Sequence, residues 1–317
     1  MASPSQQRAL HTVQRVQGSS FDIALIQLGD IGTDKAKNID NARRKMDEAM
    51  QVKQPPHLLV LPECFNSPYG VDFFPEYAET IPFRPGQTQP TLHEKAVSAG
   101  SPSVDMLSRT ARDHKIWLIG GSIPERDAST GKLYNTATVY NTAGDLIAVH
   151  RKLHLFDIDI PGGITFKESQ TLTGGDRVTL VDTDMGRLGL GICYDLRFPE
   201  MAMIAARKGA MAMIYPGAFN TTTGPPYWEI LQRARAVDNQ IFVAACSPAR
   251  PESGYPAYGF SMVTDPTGKV IAGAKEAPET VYACIDVETI NKTRQGVPIT
   301  AQRRFDAYPD VASGTSS

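Results

Sequence analysis

Short apolar runs rich in β-branched residues recur along the chain. They include FDIALIQL (21–28), HLLVLPE (57–63), KIWLIGGS (115–122), TATVYN (136–141), LIAVHRKLHL (146–155) and VTLVDT (178–183). RLGLGICYD (187–195), AMAMIYPG (210–217), QIFVAACSP (240–248), GFSMVTD (259–265), KVIAGAK (269–275) and TVYACIDV (280–287) continue the series. Runs of this length that are apolar throughout read as strands covered on both faces. Something must therefore lie on each side of them. Helical patterns supply the covering layers. Ile39, Ala42, Met46 and Met50 recur at helical spacing over 34–50, behind Asp34 as N-cap. Residues 199–208 open with Pro199 and stop before Gly209, the usual polarity of a helix. Residues 103–114 and 226–239 are two further helices, and DPTG (265–268) turns one strand into the next as a hairpin. The expectation is a mixed α/β sheet structure with helices on its outer faces.

The polar stretch 84–103 reads as a surface loop, and no Pro- or Ser-rich linker interrupts 20–310. The chain therefore divides into an N-terminal tail (1–20), one domain (21–308) and a loose C-terminal end (309–317). Charge sets the class of partner. With 32 basic against 34 acidic residues and no basic cluster, a nucleic-acid face is not expected. No apolar run is long enough for a membrane span. Cys64, Cys193, Cys246 and Cys284 form no CxxC pair, which points to free thiols in a reducing compartment. That compartment reads as the cytoplasm. Arg8 and Arg15 in an acid-free N-terminus leave a mitochondrial address as the alternative.

Chemistry centres on GLGICYDLRFPE (189–200), where Cys193 ends an apolar run just as a strand should give way to a helix. A thiol there is either core packing or a nucleophile. A nucleophile needs a base, and no histidine is close in sequence. Glu63 closes LLVLPE, and Lys152 sits inside VHRKLHLFD. Charged groups at the ends of apolar strands are rarely buried without partners, so the two mark a polar pocket at one sheet edge. Taken singly, each has a plainer reading as a solvated strand end or a surface lysine.

Taken together, LPECFNSPYG (61–70), HRKLHLFDIDIPGGITFKES (150–169) and GLGICYDLRFPE resemble the three signature segments of the nitrilase superfamily of carbon–nitrogen hydrolases, in the same order. The likeness continues through IGGSIPE (119–125), LYNTATVYN (133–141), 215–250 and 258–272. FDIDIPGGITFKES and YPGAFNTTTGP are most similar to the Nit2-type ω-amidases. The resemblance implies a four-layer α/β/β/α sandwich, a homodimer or larger homo-oligomer, and helices near the cysteine at the interface. It implies Glu63 as general base, Lys152 as oxyanion stabiliser, Cys193 as nucleophile and Glu168 as a second acid. The Tyr194 N–H joins Lys152 at the oxyanion. No metal or organic cofactor is required.

At ordinary values a carboxylate is about four units, or ~6 kcal/mol, too weak to take a thiol proton. Burial of Glu63 and the charge of Lys152 should narrow that gap from both sides, with Glu63 and Glu168 keeping the lysine charged. The implied substrates, α-ketoglutaramate and α-ketosuccinamate, carry a distal carboxylate. Arg197 is the residue to meet it, unless it pairs with Asp195 or Glu200. Tyr69, Phe219 and Tyr227 are the remaining candidates to line the pocket. Tyr227 stands where these relatives commonly carry histidine, which leaves chain-length preference open. His150 and His154 lack a third ligand at metal-site spacing. MGRLGLG (185–191) is not a dinucleotide fingerprint, because strand pattern runs through it. Deaminated glutathione, a nitrile or a carbamoyl compound are rival substrates. A catalytically silent interaction module is the rival of another class.

Overall fold

The computed structural model describes residues 15–162 and 164–308. The first sheet takes β1 (Phe21–Gln27), β2 (Leu58–Val60), β3 (Trp117–Arg126), β4 (Leu133–Tyr140) and β5 (Leu146–Arg151). A small hairpin follows, β6 (Asp157–Asp159) and β7 (Thr165–Lys167). Then come β8 (Thr179–Thr183), β9 (Gly186–Leu190), β10 (Ala212–Pro216), β11 (Phe242–Cys246), β12 (Met262–Thr264) and β13 (Val270–Gly273). The last strand, β14 (Glu279–Ile285), returns to the first sheet beside β1. The strand orders are β14-β1-β2-β3-β4-β5 and β13-β12-β11-β10-β9-β8.

Period-two alternation explains why the strands are apolar throughout. In β1, Ile23 and Leu25 face the other sheet, in one core with Ala212 and Ile214 of β10 and with Ala244 and Cys246 of β11. Ala24 and Ile26 face outward, against Ile39, Ala42 and Met46 of α1 (Lys35–Ala49) and Val104, Leu107 and Ala111 of α2 (Pro102–His114). On the second sheet Met213, Tyr215, Val243 and Ala245 meet α3 (Pro199–Arg207) and α4 (Gly224–Asn239). The result is a four-layer α/β/β/α sandwich. Asp34 caps α1 as expected, its carboxylate accepting from Lys37 N–H at 3.1 Å.

Four expectations change. The strand pattern of 187–195 ends at Leu190, and Cys193–Arg197 form a 3₁₀ turn instead. The 84–103 loop contains a one-turn helix, His93–Val97, because Ala96 is buried and anchors it. The expected N-terminal tail is docked where it is described: Val16 is buried and its N–H donates to Asn291 Oδ1 at 3.1 Å. Sequence patterning also missed α5 (Val287–Gly296), whose apolar face is only Val287 and Ile290. The calls on residues 1–14, including the targeting reading of Arg8, and on 309–317 lie outside the described residues. Among the described residues no helix is long and apolar enough to cross a membrane. All four cysteines are free thiols.

Candidate active site

Strand ends from both sheets converge on one polar cluster. The chain leaving β2 runs through Leu61 and Pro62 to Glu63. It is held against an irregular step in β3, where Ser122 N–H donates to Pro62 O and Cys64 N–H to Ser122 Oγ. Gly121 allows this approach, since a Cβ there would stand 2.2 Å from Pro62 O. Lys152 follows β5 directly and its N–H donates to Asn135 O at 2.8 Å. Cys193 follows β9 with φ +47°, a left-handed conformation that a side chain adopts at some cost. Gly217 lets the neighbouring strand end come close, as a Cβ would lie 3.3 Å from Cys193 Cα. Chain turns at the carboxyl ends of strands are where open α/β sheets place their ligands.

Lys152 is fully buried between two carboxylates, with Nζ 3.0 Å from Glu63 Oε1 and 2.9 Å from Glu168 Oε2. Tyr69 Oη donates to Glu168 Oε1 at 2.6 Å, and Phe156 N–H donates to Glu168 Oε2 at 2.7 Å. Asn135 Nδ2 donates to Glu63 Oε1 at 2.8 Å. Glu63 Oε2 is left with no hydrogen-bond partner, although the Cys193 thiol is near enough to influence its ionisation. A buried carboxylate oxygen without a donor is uncommon, and this one has the Cys193 thiol beside it. Cys193 is only 4% exposed, and its Sγ accepts from Ala218 N–H at 3.5 Å.

Charge in this cluster follows from burial and proximity. Burial pushes the Glu63 carboxyl above its ordinary 4.5. The Lys152 charge opposes that rise and the Glu168 charge reinforces it. Burial acts against the Lys152 ammonium, yet Glu168 and Glu63 together hold it well above its ordinary 10.5. The two results are compatible, because Lys152 is held by two carboxylates while Glu63 faces one cation and one like charge. Cys193 overturns half of the sequence expectation. Burial and then the Glu63 charge push its thiol well above 9.0, and Lys152 with the Ala218 N–H does not reverse this. Both shifts favour the neutral thiol beside a carboxylate of raised basicity.

A narrow cleft of about 90 Å³ opens onto the cluster, walled by Glu63, Ser67, Tyr69, Ala218, Ser253 and Tyr255 among others. Tyr69 thus lines it as expected. Phe219, Arg197 and Tyr227 do not; Phe219 packs on Trp228, ring centroids 5.0 Å apart, with the Arg197 guanidinium 5.0 Å from its ring. Arg197 makes no ion pair with Asp195 or Glu200 among the described residues. Its guanidinium lies 5.5 Å from the Tyr194 ring and 4.5 Å from that of exposed Tyr227, and its buried Nε has no acceptor. Asp195 is unavailable to it, being held by His150 and His154. The Tyr194 N–H donates to no other group among the described residues. Sequence reasoning missed Asn135, Ala218 and Tyr255, whose Oη donates to Ala218 O at 2.7 Å. Asn135 lies in a segment already noted for its likeness, but nothing local assigns it a partner.

The family model for carbon-nitrogen hydrolase matches residues 22–295. The chain belongs to that family. It is 50% identical over 302 residues to omega-amidase NIT3 of Saccharomyces cerevisiae, covering 95% of this chain and 99% of that protein. It is 49% identical over 291 residues to omega-amidase NIT2 of Bos taurus, covering 92% and 97%. The crystal structure of S. cerevisiae Nit3, described as a member of branch 10 of the nitrilase superfamily, superposes with a TM-score of 0.81. That match is at 47% identity and covers 93% of this chain and 100% of the other. The four-layer sandwich is thus the fold of a carbon–nitrogen hydrolase.

Proposed function

We propose that this carbon–nitrogen hydrolase is an ω-amidase that converts the terminal amide of short α-keto acid amides, such as α-ketoglutaramate and α-ketosuccinamate, to the dicarboxylic α-keto acid and ammonia. The observation that carries the reading is the buried Glu63–Lys152–Glu168 cluster beside the Cys193 thiol. The names of its relatives agree with it. Cys193 Sγ adds to the amide carbon while Glu63 Oε2 takes the thiol proton. Two N–H bonds of Lys152 are committed to Glu63 and Glu168 at 3.0 Å, and the other reaches Tyr69 Oη only at 3.5 Å, from which it can turn. The third, with the Tyr194 N–H, meets the oxyanion. Glu63 then protonates the departing nitrogen as the C–N bond breaks, leaving a thioester and ammonia. Water, deprotonated by Glu63, attacks the thioester; the acid leaves and the thiol regains its proton. No metal or organic cofactor takes part.

Arg197, flanked by three aromatic rings and with no carboxylate partner among the described residues, stands outside the cleft wall and is the proposed receiver of the substrate's distal carboxylate. A homodimer is part of the same reading, with the exposed apolar side chains Ile204, Ile230 and Val237 of α3 and α4 as the face to be covered. Light scattering reads it, and a monomer at micromolar concentration would remove it. Ammonia release from α-ketoglutaramate, α-ketosuccinamate and deaminated glutathione tests the activity itself. The expected result is turnover of the first two and a loss of order 10⁴-fold or more in Cys193→Ala. Equal background from wild type and variant would instead make the chain a silent module, and faster turnover of deaminated glutathione would reassign the substrate.

A further inference from the structure

We infer that Asp195, clamped between His150 and His154, is a positioning residue that sets the spacing of the Lys152 ammonium and the Cys193 sulfur. The inference rests on the amidase reading and concerns the same centre. His150 and His154 stand two residues before and two residues after Lys152, and Asp195 stands two after Cys193. Lys152 leaves the first sheet and Cys193 leaves the second, so their spacing depends on what ties the two turns together. Both oxygens of Asp195 are occupied. Oδ2 accepts from His150 Nε2 at 3.1 Å and from Ile192 N–H at 2.9 Å. Oδ1 accepts from His154 Nδ1 at 2.8 Å and from His154 N–H at 2.9 Å.

One bond therefore closes the turn that carries the nucleophile, and three reach the segment that carries the lysine. Asp195 N–H also donates to Ile192 O at 3.0 Å, so the left-handed Cys193 sits inside a loop closed at both ends. His150 is fully buried, and its other nitrogen lies 3.1 Å from Thr179 Oγ1. Because the ionised Asp195 can only accept, Nε2 carries the hydrogen that it shares with Oδ2. His154 stacks on Phe198, ring centroids 3.6 Å apart, which fixes the ring that presents Nδ1–H. The carboxylate stays ionised, because the hydrogen bonds from His150 and His154 overcome the effect of burial. Outer hydrogen bonds of this kind, from a carboxylate to a histidine, orient reacting groups without touching substrate. A displacement of about 1 Å in a reacting group costs on the order of a hundredfold.

The experiment uses His154→Phe, which keeps the stack on Phe198 and removes Nδ1–H, and His154→Asn, which restores a side-chain donor. His154 is part-exposed, so both variants are expected to fold. With α-ketoglutaramate, His154→Phe should lower kcat at least about tenfold with KM within about twofold, and His154→Asn should recover most of the loss. In a Lys152→Ala background the further cost of His154→Phe should fall below about twofold, since the lysine it positions is gone. A second readout needs no turnover. The pH midpoint of iodoacetamide alkylation, mapped to Cys193 by mass spectrometry, should rise in His154→Phe and return in His154→Asn. Wild-type turnover with an unaltered His154→Phe, or an equal loss in the Lys152→Ala background, would overturn the clamp. Absent turnover in wild type with a shifted alkylation profile would remove the amidase reading and leave the clamp standing.

Discussion

Two carboxylates are sunk around the same catalytic turn, and their surroundings treat them in opposite ways. Each oxygen of Asp195 holds two hydrogen bonds, and the group is kept well below the ordinary carboxylate range. Glu63 has one oxygen engaged by Asn135 and Lys152 and the other without a placed hydrogen bond among the described residues, beside the Cys193 thiol, and burial pushes the group up. Burial is equal in the two cases; satisfaction is not. A saturated buried carboxylate is inert and holds other groups in place. An undersupplied one is a proton acceptor in waiting.

Removing the reactive member of the pair should have the largest effect. Glu63→Gln keeps the shape and discards the base, so kcat/KM should fall about a thousandfold, within the span of general-base catalysis. Because folding raises the Glu63 pKa, ionising it costs the native state stability as pH rises through the raised value. The amide variant should therefore resist urea at least as well as wild type near neutral pH. A marked loss of urea resistance would show that Glu63 is structural after all. In wild type, kcat/KM should fall with acidification through a value above 4.5.

Lys152→Ala should lower kcat at least about a hundredfold through the lost oxyanion donor. It also leaves two carboxylates facing each other in the interior, a change that costs about 3–5 kcal/mol when a buried pair is broken. Rate and urea midpoint should fall together, unlike in Glu63→Gln.

Asp195 predicts the opposite pH slope. Its folded-state value is depressed, so its stabilisation is present above the ordinary 3.8 and is lost as pH falls below it. Urea midpoints of Asp195→Asn should be lower than wild type at neutral pH and should vary less on the acid side. Parallel curves for the two proteins would end the contrast with Glu63. The smallest effect is expected at Tyr255, whose hydroxyl donates to the carbonyl of Ala218, the residue whose N–H donates to Cys193 Sγ. Tyr255→Phe removes one neutral hydrogen bond of about 1 kcal/mol, which corresponds to about fivefold in kcat. An unchanged kcat would detach Tyr255 from the nucleophile.

Much of this architecture is legible along the chain, because strands covered on both faces must be apolar throughout and covering helices must show a 3.6-residue stripe. Glu63, Lys152 and Cys193 are visible for a related reason, since each sits at the end of such a strand within a recognisable segment. The failures are also physical. The hairpin Asp157–Asp159 with Thr165–Lys167 is largely exposed and carries no apolar alternation strong enough to read. The 3₁₀ turn at Cys193 looks like continued strand because its neighbours are buried for reasons of packing.

Residue types and their spacing by themselves determined a mixed sheet covered by helices and the absence of a CxxC pair, since these depend on periodicity and local chemistry. The sequence pointed to Glu63, Lys152 and Cys193 together only through the likeness of three segments to a known family. Tertiary structure alone decided which buried acid is left short of donors. Asn135 lies 72 residues from Glu63, and His150 lies 45 from Asp195. A carboxylate's basicity depends on how many donors reach it after both sheets have closed. That count exists only in three dimensions.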